Sequence, residues 1–149
     1  MDRLPGLLAA ALLAVACYTD LRWRLIRNWA VGGAAAGGLV LGVSLHGLPG
    51  LLTGLEGLSA GATWWVAVRY AGLGAGDAKL TMAIGAILGP AAAFAGPAAG
   101  HVLCALGLVP WIAWRRVRRL PWRQVALPMA PWIAAGTALV ALAPFGRFA

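Results

Sequence analysis

Asp20 and Asp77 are two of only four acidic residues in a chain of 149, and both border an apolar run. Asp20 closes the first run, in Cys17-Tyr18-Thr19-Asp20-Leu21-Arg22. Asp77 precedes another, in Gly72-Leu73-Gly74-Ala75-Gly76-Asp77-Ala78-Lys79. A carboxylate at the edge of hydrocarbon is costly to ionise and rare without a task. Two carboxylates brought together in a partly dehydrated site cannot both ionise comfortably, and such a pair shares a proton near working pH. The ionised member can then deprotonate a water while the protonated member polarises a peptide carbonyl. That hydrolysis needs no serine, cysteine or lysine nucleophile.

The neighbours of Asp77 suit the same chemistry. Gly74 and Gly76 bracket it and predict a backbone that turns sharply and lets a peptide approach. Non-helical backbone at membrane depth persists only where protein or a water-filled cavity satisfies it, and that cavity would supply the hydrolytic water. Lys79 lies two residues on, so on a helix it faces away from Asp77. It is expected to anchor the interface or orient substrate, not to neutralise the acid. Taken singly, neither aspartate is specific: Asp20 beside Arg22, Arg24 and Arg27 invites a salt bridge, and an isolated GxGD invites a flexible loop before a helix. Both on one face, with only two other acids in the chain, they read as a pair.

The elements that must position them are membrane spans. Hydrophobic residues make up 62% of the chain and charged residues 11%, and the mean hydropathy is +0.83; soluble domains are about half apolar and about a quarter charged. The first apolar run is not a removable signal peptide, because basic residues follow it and no small-x-small cleavage site appears. The pattern predicts an all-α polytopic protein with six spans: Leu4–Thr19, Trp29–Leu45, Leu51–Val68, Leu80–Ala95, Ala98–Trp114 and Val125–Ala143. Several fall short of the roughly 20 residues a spanning helix takes, which implies thin bilayer or extension by a turn into Leu21 to Trp23. The turn between the fourth and fifth is placed in the interval from Gly89-Pro90 to Gly96-Pro97, since an interior proline costs about 3 kcal/mol.

Charge orients the spans. Arg22, Arg24 and Arg27 follow the first, Arg69 and Lys79 the third, and Arg115, Arg116, Arg118, Arg119 and Arg123 the fifth. Ten of the twelve basic residues thus share one side, leaving Arg3 and Arg147 on the other. The positive-inside rule makes those three loops cytoplasmic and both termini external, with Asp20 and Asp77 on the cytoplasmic side. Trp23, Trp29, Trp111, Trp114 and Trp122 fall at the same boundary as an aromatic belt.

The net charge of +8 does not indicate nucleic-acid binding, because no basic stretch belongs to a soluble module. Cys17 and Cys104 lie in apolar runs without metal or disulfide spacing and read as small hydrophobes. Glycines four apart, at Gly33/Gly37, Gly38/Gly42 and Gly57/Gly61, predict close helix approaches, although a chain this rich in Gly and Ala produces some such spacings by chance. Asp2 is terminal. Glu56, early in the third span, falls on the opposite side and reads as interfacial.

These motifs resemble the type IV prepilin peptidases, membrane aspartic proteases, and in particular their short form, which consists of the membrane core alone. In that family the first aspartate is followed by basic residues and Ile-Pro-Asn, matched here by Asp20-Leu21-Arg22-Trp23-Arg24-Leu25-Ile26-Arg27-Asn28. The second lies in GxGD followed by x-Lys-Leu, matched by Gly74-Ala75-Gly76-Asp77-Ala78-Lys79-Leu80. Leu127-Pro128-Met129-Ala130-Pro131, followed by Gly136, looks like the family's Pro-x-x-Pro segment in the last helix. GxGD is shared more loosely with presenilin-like proteases, but the length and the first motif favour the prepilin enzymes. Arg27 stands where the family has proline, which would stiffen entry into the second span with Asn28 as its cap. That change is expected to touch substrate preference, not catalysis.

The resemblance implies a single peptidase domain over residues 1–149. It makes Asp20 and Asp77 catalytic, with Gly74, Gly76, Lys79 and Asn28 shaping the site, and calls for no metal and no cofactor. The substrate would be a prepilin or pseudopilin, cut after its short basic leader at the cytoplasmic face of the bacterial inner membrane, its apolar helix remaining in the bilayer. Anionic lipid headgroups would mediate between a basic leader and a basic enzyme face. The N-methylation of longer members goes with an extra N-terminal segment and is not expected here, where the sequence starts with the first span. The sequence does not indicate an oligomeric state.

Two readings from other classes remain at this stage. A small proton-coupled transporter or channel would use Asp20 and Asp77 as ion sites, with Glu56 the sole candidate for a relay across the bilayer. A non-catalytic subunit of a pilus or secretion assembly would work without either acid. A divalent cation between the pair is poorly supported, because hard cations take about six oxygen ligands.

Overall fold

A computed structural model of the chain describes residues 3–72, 74–118 and 127–142. Every regular element among them is helical: α1 (Leu4–Trp23), α2 (Asn28–Ala62), α3 (Trp64–Ala71), α4 (Ala75–Leu88), α5 (Pro90–Val117) and α6 (Ala130–Leu142). Asp2, Leu73, Arg119, Trp122, Arg123, Val125, Ala143 and Arg147 lie outside the described residues.

α1 runs one turn beyond its apolar stretch, as its shortness required, and stops where Arg24 adopts a left-handed φ of 54° and donates its N–H to the Asp20 carbonyl at 2.9 Å. α2 is a hairpin. Gly47, at φ 64° and ψ −143°, reverses the chain, and Pro49 falls in the opening turn of the second arm, where a missing N–H costs nothing. A Cβ on Gly42 or on Gly50 would strike the other's carbonyl, whereas in one continuous helix residues eight apart are separated by about 12 Å. The arms 28–46 and 48–62 correspond to the predicted second and third spans, and α3 follows the second arm.

The fourth and fifth spans are shifted from their predicted bounds. The turn is at Gly89, with φ 87°, and Pro90 opens α5. α4 therefore begins at Ala75, not Leu80, and residues 90–95 belong to α5. Gly96-Pro97 does not break the helix. Pro97 leaves the Ala93 carbonyl without its usual helical donor, and the indole N–H of Trp64 supplies one at 3.1 Å. A proline inside a membrane helix is tolerated when a neighbour re-satisfies the freed group.

α4 is the centre of the bundle, with Asp77, Ala78, Leu80, Thr81 and all of 83–87 buried. It runs parallel to the first arm of α2, Lys79 beside Asn28 and Ile87 beside Gly38, and antiparallel to the second, where Gly57 faces Gly85 and Gly61 faces Met82. Neither Gly57 nor Gly61 has room for a Cβ, so van der Waals contact between backbones holds these helices together. α5 and α6 pack antiparallel through Gly96, Gly100 and Gly136, a seam the sequence reading did not single out. Gly33, one of the predicted contact glycines, faces open space instead.

Among the described residues three helical stretches are long and apolar enough to cross a membrane: Leu4–Trp23, Asn28–Tyr70 (the hairpin with α3) and Pro90–Val117. Ala130–Leu142 is a shorter apolar helix. This is a membrane protein. Arginines cover aromatic rings at the end of the bundle where α1 and α5 finish and α2 starts: Arg27 over Trp23 at 5.4 Å, Arg115 over Trp111 at 4.9 Å and Arg118 over Trp114 at 6.0 Å.

Candidate active site

Asp20 lies in the last turn of α1 and is buried. Its Oδ2 accepts the backbone N–H of Ala130 at 2.9 Å, across 110 residues of sequence. Ala130 is the first residue of α6, and Pro131 behind it has no N–H to offer. Initial helix N–H groups have no partner inside their own helix, and that end carries partial positive charge, so α6 is docked end-on against a carboxylate. The salt bridge invited by Arg22, Arg24 and Arg27 is not made: among the described residues no ion pair joins any of them to Asp20.

Asp77 is the third residue of α4, before the apolar run and outside the three long membrane-crossing helices. Its own N–H donates to the Gly74 carbonyl at 3.0 Å, and its carboxylate lies back against Gly74. The two aspartates line one cavity of about 820 Å³, together with Arg24, Ile26, Arg27 and Met129.

The glycines act differently from the expectation. Gly74 has an ordinary extended conformation, φ −69° and ψ 135°, and the left-handed turn is made by Gly72, at φ 71°. Gly74 and Gly76 provide clearance instead. A Cβ on Gly74 would come within 3.0 Å of Asp77 Oδ2, and one on Gly76 within 3.3 Å of the Ile26 side chain.

Asn28 does not cap α2. Arg27 holds the capping position with no side-chain bond, and the Asn28 Oδ1 accepts from Lys79 Nζ at 3.0 Å. Lys79 is thus turned away from Asp77, as its helical offset predicted, and both residues of the pair line the cavity. Glu56 is exposed on α2 and does not line it. Among the described residues no group of three or more His, Cys, Asp or Glu side chains comes together.

Two contacts escaped the sequence reading, one at Asp20 and one away from the cavity. The Ala130 N–H is a backbone group, and its only signal was Pro131 just inside a helix start. His101, on α5, stacks on Trp64 with ring centroids 5.1 Å apart and bonds the Pro97 carbonyl through Nδ1 at 2.7 Å. A lone histidine within an apolar run gives no hint of a partner 37 positions away.

A model of the type IV leader peptidase family matches residues 7–143, a stretch that contains both aspartates and all of α6. The chain belongs to the type IV leader peptidase family. Membership places it among the peptidases, and agrees with the resemblance carried by the Asp20, GxGD and Pro-x-x-Pro segments. No curated protein and no solved structure matches the chain.

Proposed function

We propose that this leader peptidase is an aspartic endopeptidase. It removes the short basic leader from type IV prepilins or pilin-like proteins at the cytoplasmic face of the bacterial inner membrane, with Asp20 and Asp77 as its catalytic pair. The observation that carries the reading is the shared cavity: two buried carboxylates from helices far apart in sequence face one space open to a peptide.

In this reading Asp77 is the protonated partner and donates to the scissile carbonyl oxygen. Asp20 has one oxygen engaged by Ala130 and uses the other to take a proton from water. The hydroxide equivalent adds to the carbonyl carbon. Collapse of the tetrahedral intermediate breaks the C–N bond as the proton passes to the leaving amine. The ion-site reading needed a relay through Glu56; in the peptidase reading Glu56→Gln leaves cleavage unchanged.

The topology that fits is six crossings, counting both arms of α2, with the basic loops cytoplasmic and both termini external. The test is co-expression with a candidate prepilin from the same genome, scoring leader removal on a gel. Wild type should cleave, and Asp20→Asn and Asp77→Asn, present at equal membrane levels, should not. Cleavage by either variant would overturn the mechanism.

A further inference from the structure

A second, smaller cavity of about 270 Å³ opens where the two arms of α2 meet α4, lined by Val31, Gly32 and Ala35 of the first arm, Leu58 of the second, and Met82 and Ala83 of α4. Its only polar lining residues are Asn28 and Lys79, and these two also line the aspartate cavity. Their hydrogen bond is therefore a sill, with the carboxylates on one side and an apolar groove on the other. The geometry points to this groove as the seat of the substrate's apolar helix, on the side of the scissile bond that stays in the membrane. This rests on the peptidase reading above.

The physical argument concerns what a cleaved membrane helix requires on either side of the cut. The scissile carbonyl must leave its helical hydrogen bond and lie extended among polar groups, as the larger cavity allows. The residues after the cut are helical and apolar and must lose no contact with hydrocarbon-like surface. A groove continuous with the catalytic cavity through shared residues meets both needs at once. Its floor is low because Gly32 has no side chain and Ala35 a short one, the feature that lets a second helix approach closely. On the cavity side of the sill, the Asn28 and Lys79 head groups meet the backbone where the substrate changes from extended to helical.

Gly32 makes the test clean. A Cβ there meets nothing within 4 Å, and the same holds for Gly33 next to it, which does not line the groove. Gly32→Leu therefore fills the groove without straining the fold, and Gly33→Leu makes the same chemical change outside it. Both replace a glycine inside a helix by a better helix former, so neither should unfold the protein. The measurement is steady-state cleavage of a prepilin bearing its helix, in detergent, by wild type and the two variants. Gly32→Leu is expected to raise KM tenfold or more with kcat nearly unchanged, and Gly33→Leu to leave both unchanged. Equal kinetics for the two variants, or a loss in Gly32→Leu confined to kcat, would overturn the groove assignment while leaving the peptidase intact. Failure of wild type to cleave any prepilin from its genome would instead remove the peptidase reading, and the groove assignment with it.

Discussion

The two carboxylates face one cavity but are held there by different means. Asp77 is positioned by its own neighbourhood: it lies in the first turn of α4, its N–H bonded to the carbonyl of Gly74 three residues earlier. Asp20 is positioned by a partner 110 residues away, the N-terminal N–H of α6. One half of the site is thus local and the other is assembled only when the last helix docks. Gly74 beside Asp77 is exposed, whereas Ala130 is fully buried and its N–H has no substitute acceptor if Asp20 is lost.

The largest effect should erase the distinction. Asp20→Asn keeps an amide oxygen that can accept the Ala130 N–H, and Asp77→Asn keeps the shape of the side chain it replaces, so both should fold. Both should lose cleavage by a factor of about a hundred to ten thousand, the usual contribution of a positioned acid or base, read as leader removal over time. The next experiment should restore it. Asp20→Ala leaves the Ala130 N–H buried and unpaired, at a cost of about 1–3 kcal/mol, and should lower the thermal midpoint in detergent. Asp77→Ala loses only a favourable helix-end charge, worth about 0.3–1 kcal/mol, and regains part of that by removing a buried carboxyl. Equal losses for the two alanine variants would break the comparison.

The smallest effect concerns the loop between the two acids. Arg27 sits at φ −73°, a value proline accepts, so Arg27→Pro should change stability by less than about 1 kcal/mol. The entropic gain offsets the lost stacking of Arg27 over Trp23.

Much of this architecture was legible in the chain. The hairpin of α2 was visible as two apolar runs, Trp29–Leu45 and Leu51–Val68, with an interval between them, and the basic loops marked one end of the bundle. The fourth span was misplaced by five residues at its start, because the sequence treated Ala75 to Lys79 as a loop ahead of the apolar run when they form the first turn of α4. Pro97 was read as a break because a proline's cost is local, whereas its rescue by the Trp64 indole comes from another helix. The glycines beside Asp77 were expected to turn the backbone; they give clearance instead, and Gly72 makes the turn.

The sequence by itself determined that the chain enters a membrane, which residues carry its scarce acidic chemistry, and which family it belongs to. These are properties of composition, order and short motifs, and each is set within a few residues. Only the tertiary structure decided which helix is central, which glycines touch and what holds Asp20. In a chain apolar on every face, no periodic stripe distinguishes the inside of the bundle from the lipid side. α4 became the core through backbone contacts at Gly57, Gly61 and Gly85, and α6 reached Asp20 with a main-chain N–H that no side-chain pattern records.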